Sequence, residues 1–163
     1  MSFGKIFWTI CFLAVVSLFL YFYDFPQKID LAYPAVEYRV GVPDSAEQTA
    51  IRIKGIIKRP LFRKPTFHGH FIVDKYEYTG RFELWPIDLH VSPLLYPGND
   101  KGKPFMETLG ALYIEGSFTK LNIWVFEQIS ETYRGTDNLR ISAPADNYEE
   151  AMLINKEMGG SFK

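Results

Sequence analysis

From Ile6 to Tyr23 the chain runs 18 residues without a charge, and from Val36 onward apolar and polar residues alternate in short runs. The first pattern predicts a helix of about 27 Å, close to the hydrocarbon thickness of a bilayer. Aromatic residues gather toward its two ends, with Phe3, Phe7 and Trp8 at one and Tyr21, Phe22, Tyr23 and Phe25 at the other. That is the distribution of side chains that settle at membrane–water interfaces. A buried core helix would keep a polar side, and this run has none. Asp24 and Pro26 end it. No small-x-small cleavage site follows: sites after Ala32 or Ala35 would place Asp30 or Tyr33 three positions in. The expectation is an uncleaved anchor over residues 1–24. Lys5 on the short N-terminal side and Asp24 on the other orient it with the N-terminus inside and residues 24–163 outside.

The second pattern has period two. "VEYRV" (36–40), "AIRIKGIIK" (50–58), "TFHGHFIVD" (66–74), "RFELWPIDLHV" (81–91), "ETLGALYIEG" (107–116), "KLNIWVFEQ" (120–128) and "LRISA" (139–143) read as half-buried strands. Gly55 interrupts its run as a bulge would, and the core parity flips across Trp85-Pro86, which places a second bulge there. "FPQKIDLAYPA" (25–35), with two prolines, reads as a linker. "KYEYTG" (75–80) and "SETYRGTDN" (130–138) read as loops, "SPLLYPGNDKGKP" (92–104) as a surface loop and "EGSFTK" (115–120) as a turn. "PADNYEEAMLINKEMGG" has the pattern of a helix over 147–158: Asp146 or Asn147 to cap it, Glu149 and Glu150 in the first turn, glycines to end it. The fold class is therefore α+β: an N-terminal transmembrane helix, then, over 36–163, an antiparallel meander of about seven strands, open or barrel-like, with one C-terminal helix. The expected core is Phe67, Phe71, Phe82, Leu84, Leu89, Leu112, Ile114, Ile123 and Val125, with Met152 docked on it.

Charge changes this picture little. Residues 1–65 carry nine Lys/Arg against five Asp/Glu, and residues 66–163 nine against fourteen. The chain's net charge of −1 gives no footprint for nucleic acid. Its one cysteine, Cys11, lies in the apolar run, so the chain forms no internal disulfide and the outer part holds no thiol nucleophile.

Two groups of side chains are candidates for binding. On a strand, residues i and i+2 share a face, so His68, His70 and Asp74 stand together away from Phe67, Phe71 and Val73. If strands 66–74 and 81–91 form a hairpin, one register sets His68 opposite His90 and His70 opposite Asp88. Another sets His68 opposite Asp88. Either gathers imidazoles and a carboxylate of the kind that hold zinc. Solvated histidines on the wet face of a sheet are the commoner outcome, and no metal or other cofactor is expected. The second group is "KGIIKRPLFRK", in which Lys54, Lys58, Arg59, Arg63 and Lys64 surround Leu61 and Phe62. Such a segment suits lipid headgroups or an anionic envelope polymer. It also suits a solvated turn screened by salt.

No catalytic motif is present. "SFTK" (Ser117 to Lys120) has Ser-x-x-Lys spacing, but it sits in a turn between strands and lacks the partner motifs of penicillin-interacting serine enzymes. The strings "IKGIIKRPLFRKPTFHGHF" and "ISAPADNYEEAM" resemble uncharacterised small membrane-anchored proteins of Gram-positive bacteria, over most of residues 50–155. That resemblance implies an envelope address and brings no activity with it. The reading is a single-pass, extracytoplasmic binding or sensing module and not an enzyme. The alternatives are a metal site on His68, His70 and His90, or an accessory subunit of a membrane complex with its aromatic-rich sheet as the contact.

Overall fold

The computed structural model describes residues 3–127 and 138–159. Helix α1 (Phe3–Phe22) is followed by strands β1 (Pro26–Arg39), β2 (Val42–Lys58) and β3 (Thr66–Val73), then the short helix α2 (Glu77–Arg81). Strands β4 (Leu84–Asp88), β5 (Val91–Asp100), β6 (Lys103–Glu115), β7 (Lys120–Val125) and β8 (Leu139–Ala143) lead to helix α3 (Tyr148–Gly159). The expected α+β layout is found, with eight strands in place of about seven. Most of the loop read over 130–138 lies outside the described residues, as does Gly160.

The eight strands form one antiparallel sheet in the order β4-β3-β2-β1-β8-β7-β6-β5. Every neighbour is a chain neighbour except β1 and β8, which join the two halves. The sheet rolls into a nearly closed barrel, because its two edges, β4 and β5, are consecutive in the chain and only Leu89 and His90 separate them. Ser92 pins that corner: its hydroxyl accepts from the Asp88 N–H at 3.1 Å and donates to the Asp88 carbonyl at 3.3 Å. Pro86 lies in one edge strand and Pro93 and Pro97 in the other, where a missing N–H costs no ladder bond and blocks pairing with another chain.

Several expectations need correction. Residues 26–35 are not a linker but the first two-thirds of β1, paired with β2 from Pro26↔Lys58 onward. Ile29, Leu31, Tyr33 and Ala35 all turn toward the barrel core. Pro34 is tolerated because β8 pairs with β1 only over Val36–Arg39. The region read as a surface loop over 92–104 holds β5, the start of β6 and the tight turn between them, with Leu94 and Tyr96 buried. The run 81–91 is not one strand: it splits at Leu89-His90. The bulge at Trp85-Pro86 is present, since Gly69 pairs with Leu84 and Phe67 with Ile87, leaving His68 to face both intervening residues. Gly55 makes no bulge. The ladder runs unbroken through it on both sides, and it faces Gly69 across β2 and β3. A Cβ on either would run into the opposite backbone, and Gly69 holds φ +150°, so this glycine pair lets the two strands close beneath the Phe67 ring.

The barrel interior is filled. Ile53, Phe67, Phe71, Tyr96, Leu112 and Ile123 are fully buried. The Tyr96 hydroxyl donates to the Phe71 carbonyl at 2.8 Å, and burial pushes its pKa well above the ordinary value. Phe118, at φ +67° in the β6–β7 turn, plugs one end and meets the Phe67 ring edge-on, 5.1 Å between centroids. All nine side chains expected in the core pack there, though Phe82 is half-buried, against Phe105. Met152 is the exception. It is half-buried in a separate layer outside the barrel, where Ala151, Ile154 and Met158 of α3 cover Val36 and Tyr38 of β1. Asn147 is the cap: its Oδ1 accepts from the Glu150 N–H at 2.9 Å, while Glu150 accepts in return from the Asp146 N–H at 2.9 Å.

Candidate functional site

The rim where α1 joins the barrel is built from the start of β1, the β2–β3 hairpin tip (59–65) and the β6–β7 turn. Beyond Lys5, helix α1 carries no charge, its apolar window is unburied, and it is long and apolar enough to cross a membrane. Two residues past its end, Asp24 ties the helix to the hairpin tip. Its carboxylate pairs with Arg63 at 2.6 Å and Lys58 at 3.7 Å, and its carbonyl accepts from the Arg59 N–H at 2.7 Å. Tyr21 of α1 stacks on Phe62, 6.0 Å between centroids. The Arg59 guanidinium donates to Ser117 Oγ, which joins the tip to the β6–β7 turn.

This arrangement leaves Leu61 and Phe62 projecting, 57% and 69% exposed, between Arg59 on one side and Arg63 and Lys64 on the other. Behind the tip lies a cavity of about 290 Å³ lined by Asp24, Lys58, Pro60, Arg63, Lys64, Thr66 and His68. Four of the five basic residues singled out from the sequence thus meet at one rim. Lys54 does not join them: it lies on the outer wall of β2, 3.5 Å from Asp30.

The histidines are not brought together. His68, His70 and His90 all point away from the core, but the register is neither of the two expected: Thr66, not His68 or His70, pairs with Asp88. The bulge carries β4 past His68, and the corner at Leu89-His90 takes His90 elsewhere. It lines a different cavity, of about 390 Å³, with Tyr113, Glu115, Lys120, Glu157 and Met158. His70 stands opposite Lys54 on the outer wall. Asp74 is engaged by Arg52 at 2.6 Å. Among the described residues no group of three or more His, Cys, Asp or Glu side chains is placed to hold a metal ion. Ser117 and Lys120 also have separate partners, since Lys120 pairs with Glu157 at 2.6 Å.

The far rim holds a feature that the alternation concealed. In "VEYRV" the apolar Val36 and Tyr38 face α3, outside the barrel, and the polar Glu37 turns inward. Its buried carboxylate accepts from Lys75 Nζ and from the Tyr76 hydroxyl, both at 2.7 Å. Burial, then the Glu37 hydrogen bond, push the Tyr76 pKa far above its ordinary value. Lys75 also bonds Glu47. A single Glu on a strand gives no sequence signal of such a role, because its parity matches a solvated position. No family model, curated protein or solved structure matches this chain.

Proposed function

We propose that the chain is a single-pass protein of the cell membrane, anchored by α1, whose barrel stands outside the cytoplasm as a non-enzymatic binding or sensing module working at the lipid surface. The resemblance to small membrane-anchored envelope proteins is consistent with this address. The observation that carries the reading is the placement of exposed Leu61 and Phe62, flanked by Arg59, Arg63 and Lys64, on the same rim as the end of α1. An apolar tip ringed by cations is matched to an anionic interface. Each basic residue there contributes about 1 kcal/mol, and full burial of each large apolar side chain about 1.5–3 kcal/mol. An aromatic sheet face for a protein partner is less in evidence, since Phe67, Phe71, Tyr96 and Phe118 are spent inside the barrel.

The test places a spin label at residue 62 (Phe62→Cys in a Cys11→Ser background) and another at residue 101 (Lys101→Cys), with the full chain in lipid nanodiscs. Residue 62 should be reached by oxygen in preference to a water-soluble nickel chelate, and residue 101, at the distal β5–β6 turn, the reverse. Equal exposure of both to the chelate would end the lipid-surface reading. Protease added to intact cells should remove residues beyond 24; full protection would reverse the orientation.

A further inference from the structure

The cavity behind the hairpin tip differs from the other cavities in its charge and position. Three cationic side chains, Lys58, Arg63 and Lys64, line it against one carboxylate, Asp24, and Thr66 and His68 add further polar groups. Its walls are held in place. Asp24 fixes Lys58 and Arg63 by ion pairs, Pro60 restricts the loop, and Thr66 Oγ1 lies 3.4 Å from His68 Nε2. The cavity beside His90 has two carboxylates facing Lys120, and the one beside Lys75 has Glu47 and Asp74, so neither has a cationic excess.

Position narrows the ligand. Asp24 follows the last residue of α1 by two positions, about 3 Å of helical rise. The headgroup layer on each side of a bilayer is about 5–8 Å deep. If α1 spans, the cavity opens at the level of lipid phosphates and not in bulk water. Guanidinium and ammonium donors around a small polar space match phosphoryl oxygens in charge and hydrogen-bonding geometry.

We infer that this cavity, through Lys58, Arg63, Lys64, Thr66 and His68, binds the phosphoryl headgroup of one anionic phospholipid. The inference rests on the membrane reading above, and it deepens that reading from general surface attraction to one stoichiometric lipid. Asp24 serves as a positioning residue: it spreads Lys58 and Arg63 along the cavity wall and leaves Lys64, which has no ion pair among the described residues, to meet the phosphate.

The experiment is native mass spectrometry of the detergent-solubilised full chain titrated with phosphatidylglycerol, with phosphatidylcholine, and with inorganic phosphate. The wild type should retain one phosphatidylglycerol and show at least a severalfold preference for it over phosphatidylcholine. Arg63→Gln with Lys64→Gln should weaken that adduct by about tenfold or more, since each cation near an anionic group counts for close to a fivefold change. Lys101→Gln with Lys103→Gln, the same charge change at the distal turn, should leave it intact, and thermal melts should show all variants folded. Equal retention of the two lipids, or an adduct indifferent to the double substitution, overturns the proposal. Inorganic phosphate binding with no lipid preference would assign the cavity to free phosphate and refute the lipid. The spin label at residue 62 separates the two failures. A label in lipid with no selective adduct defeats the cavity alone, and a label in water defeats the membrane reading beneath it.

Discussion

Replacing Phe71 with alanine tests the barrel from its centre. The ring is fully buried in β3, opposite Ile53 of β2 and on the same side as Phe67 and Val73. Two of those neighbours are β-branched and stiff at χ1, so they cannot swing in to fill the space. The loss should fall in the usual range for a buried phenylalanine, about 3–5 kcal/mol. A domain of this size holds only about 5–15 kcal/mol in total. At about 2–4 °C per kcal/mol for chains of comparable length, the midpoint should drop by about 6–20 °C. The assay is thermal melting of the full chain in detergent, followed by the β-sheet circular dichroism signal, with Phe62→Ala as the comparison. Phe62 is 69% exposed, so its truncation should change stability by no more than about 0.5 kcal/mol. An unchanged midpoint for Phe71→Ala would refute the assignment of inner and outer faces on β3, and with it the placement of both His68 and His70 outside.

Three further outcomes follow from particular contacts. Gly69→Ala should destabilise by about 3 kcal/mol, because the new Cβ meets the Lys54 carbonyl and the φ of +150° is strained for any other residue; a neutral melt would mean β2 and β3 can separate there. Tyr38 donates to the Ala151 carbonyl at 3.1 Å and lies 3.2 Å from Ser142 Oγ, and burial raises its pKa from 10.0 to about 12. A raised acid pKa means that the folded state holds this proton more tightly. The stability tied to it is complete below pH 10 and lost between pH 10 and about 12, so alkaline denaturation should be shallower in that window in Tyr38→Phe than in the wild type. Purified full chain should carry no stoichiometric zinc; about one zinc per chain, lost in His68→Ala with His70→Ala, would overturn the separation of the three histidines.

Alternation made most of the barrel legible, because one face of each strand is buried and the other wet. It failed where a second physical demand overlay it. Prolines in β1 and β5 read as loops, yet each sits where a strand has no partner to bond: Pro34 short of the β8 ladder, Pro93 and Pro97 in an edge strand. Glu37 failed for a different reason. At that stretch α3 covers the outside of the barrel, so both faces are buried and the hydrophobic face is no longer the inner one. The basic hairpin tip was visible as a cluster of charge, but its neighbourhood was not: nothing local in "RPLFRK" says that Asp24, some forty residues earlier, lies against it. The register of β3 against β4 was open in the sequence because parity restricts pairing to alternate residues and does not choose among them. The bulge at Trp85-Pro86 was foreseen, but how far it shifts His90 depends on where the barrel turns its corner.

The filled interior decides where such a protein can bind anything. With Phe71, Tyr96 and Phe118 packed across the barrel, its described interior is taken up by side chains, and the binding module proposed above would use the rims and the outer wall. On the membrane reading proposed above, the near rim meets the lipid twice: through α1 and through the 59–65 tip. The tip's contacts are each too weak to hold a free protein at a surface, about 1 kcal/mol for a cation before screening and about 1.5–3 kcal/mol for an apolar side chain at full burial. Tethering removes that difficulty, because α1 keeps the tip within its own length of the headgroups and makes its association intramolecular. A helix alone would leave the barrel free to swivel. The Asp24 pairs and the Tyr21–Phe62 stack fix the tip to the helix, and lipid contact at Leu61 and Phe62 then fixes the barrel to the plane. The Glu37–Lys75–Tyr76 cluster is left on the opposite rim, up to about 36 Å away along β1 from Pro26 to Glu37, facing away from the surface that holds it.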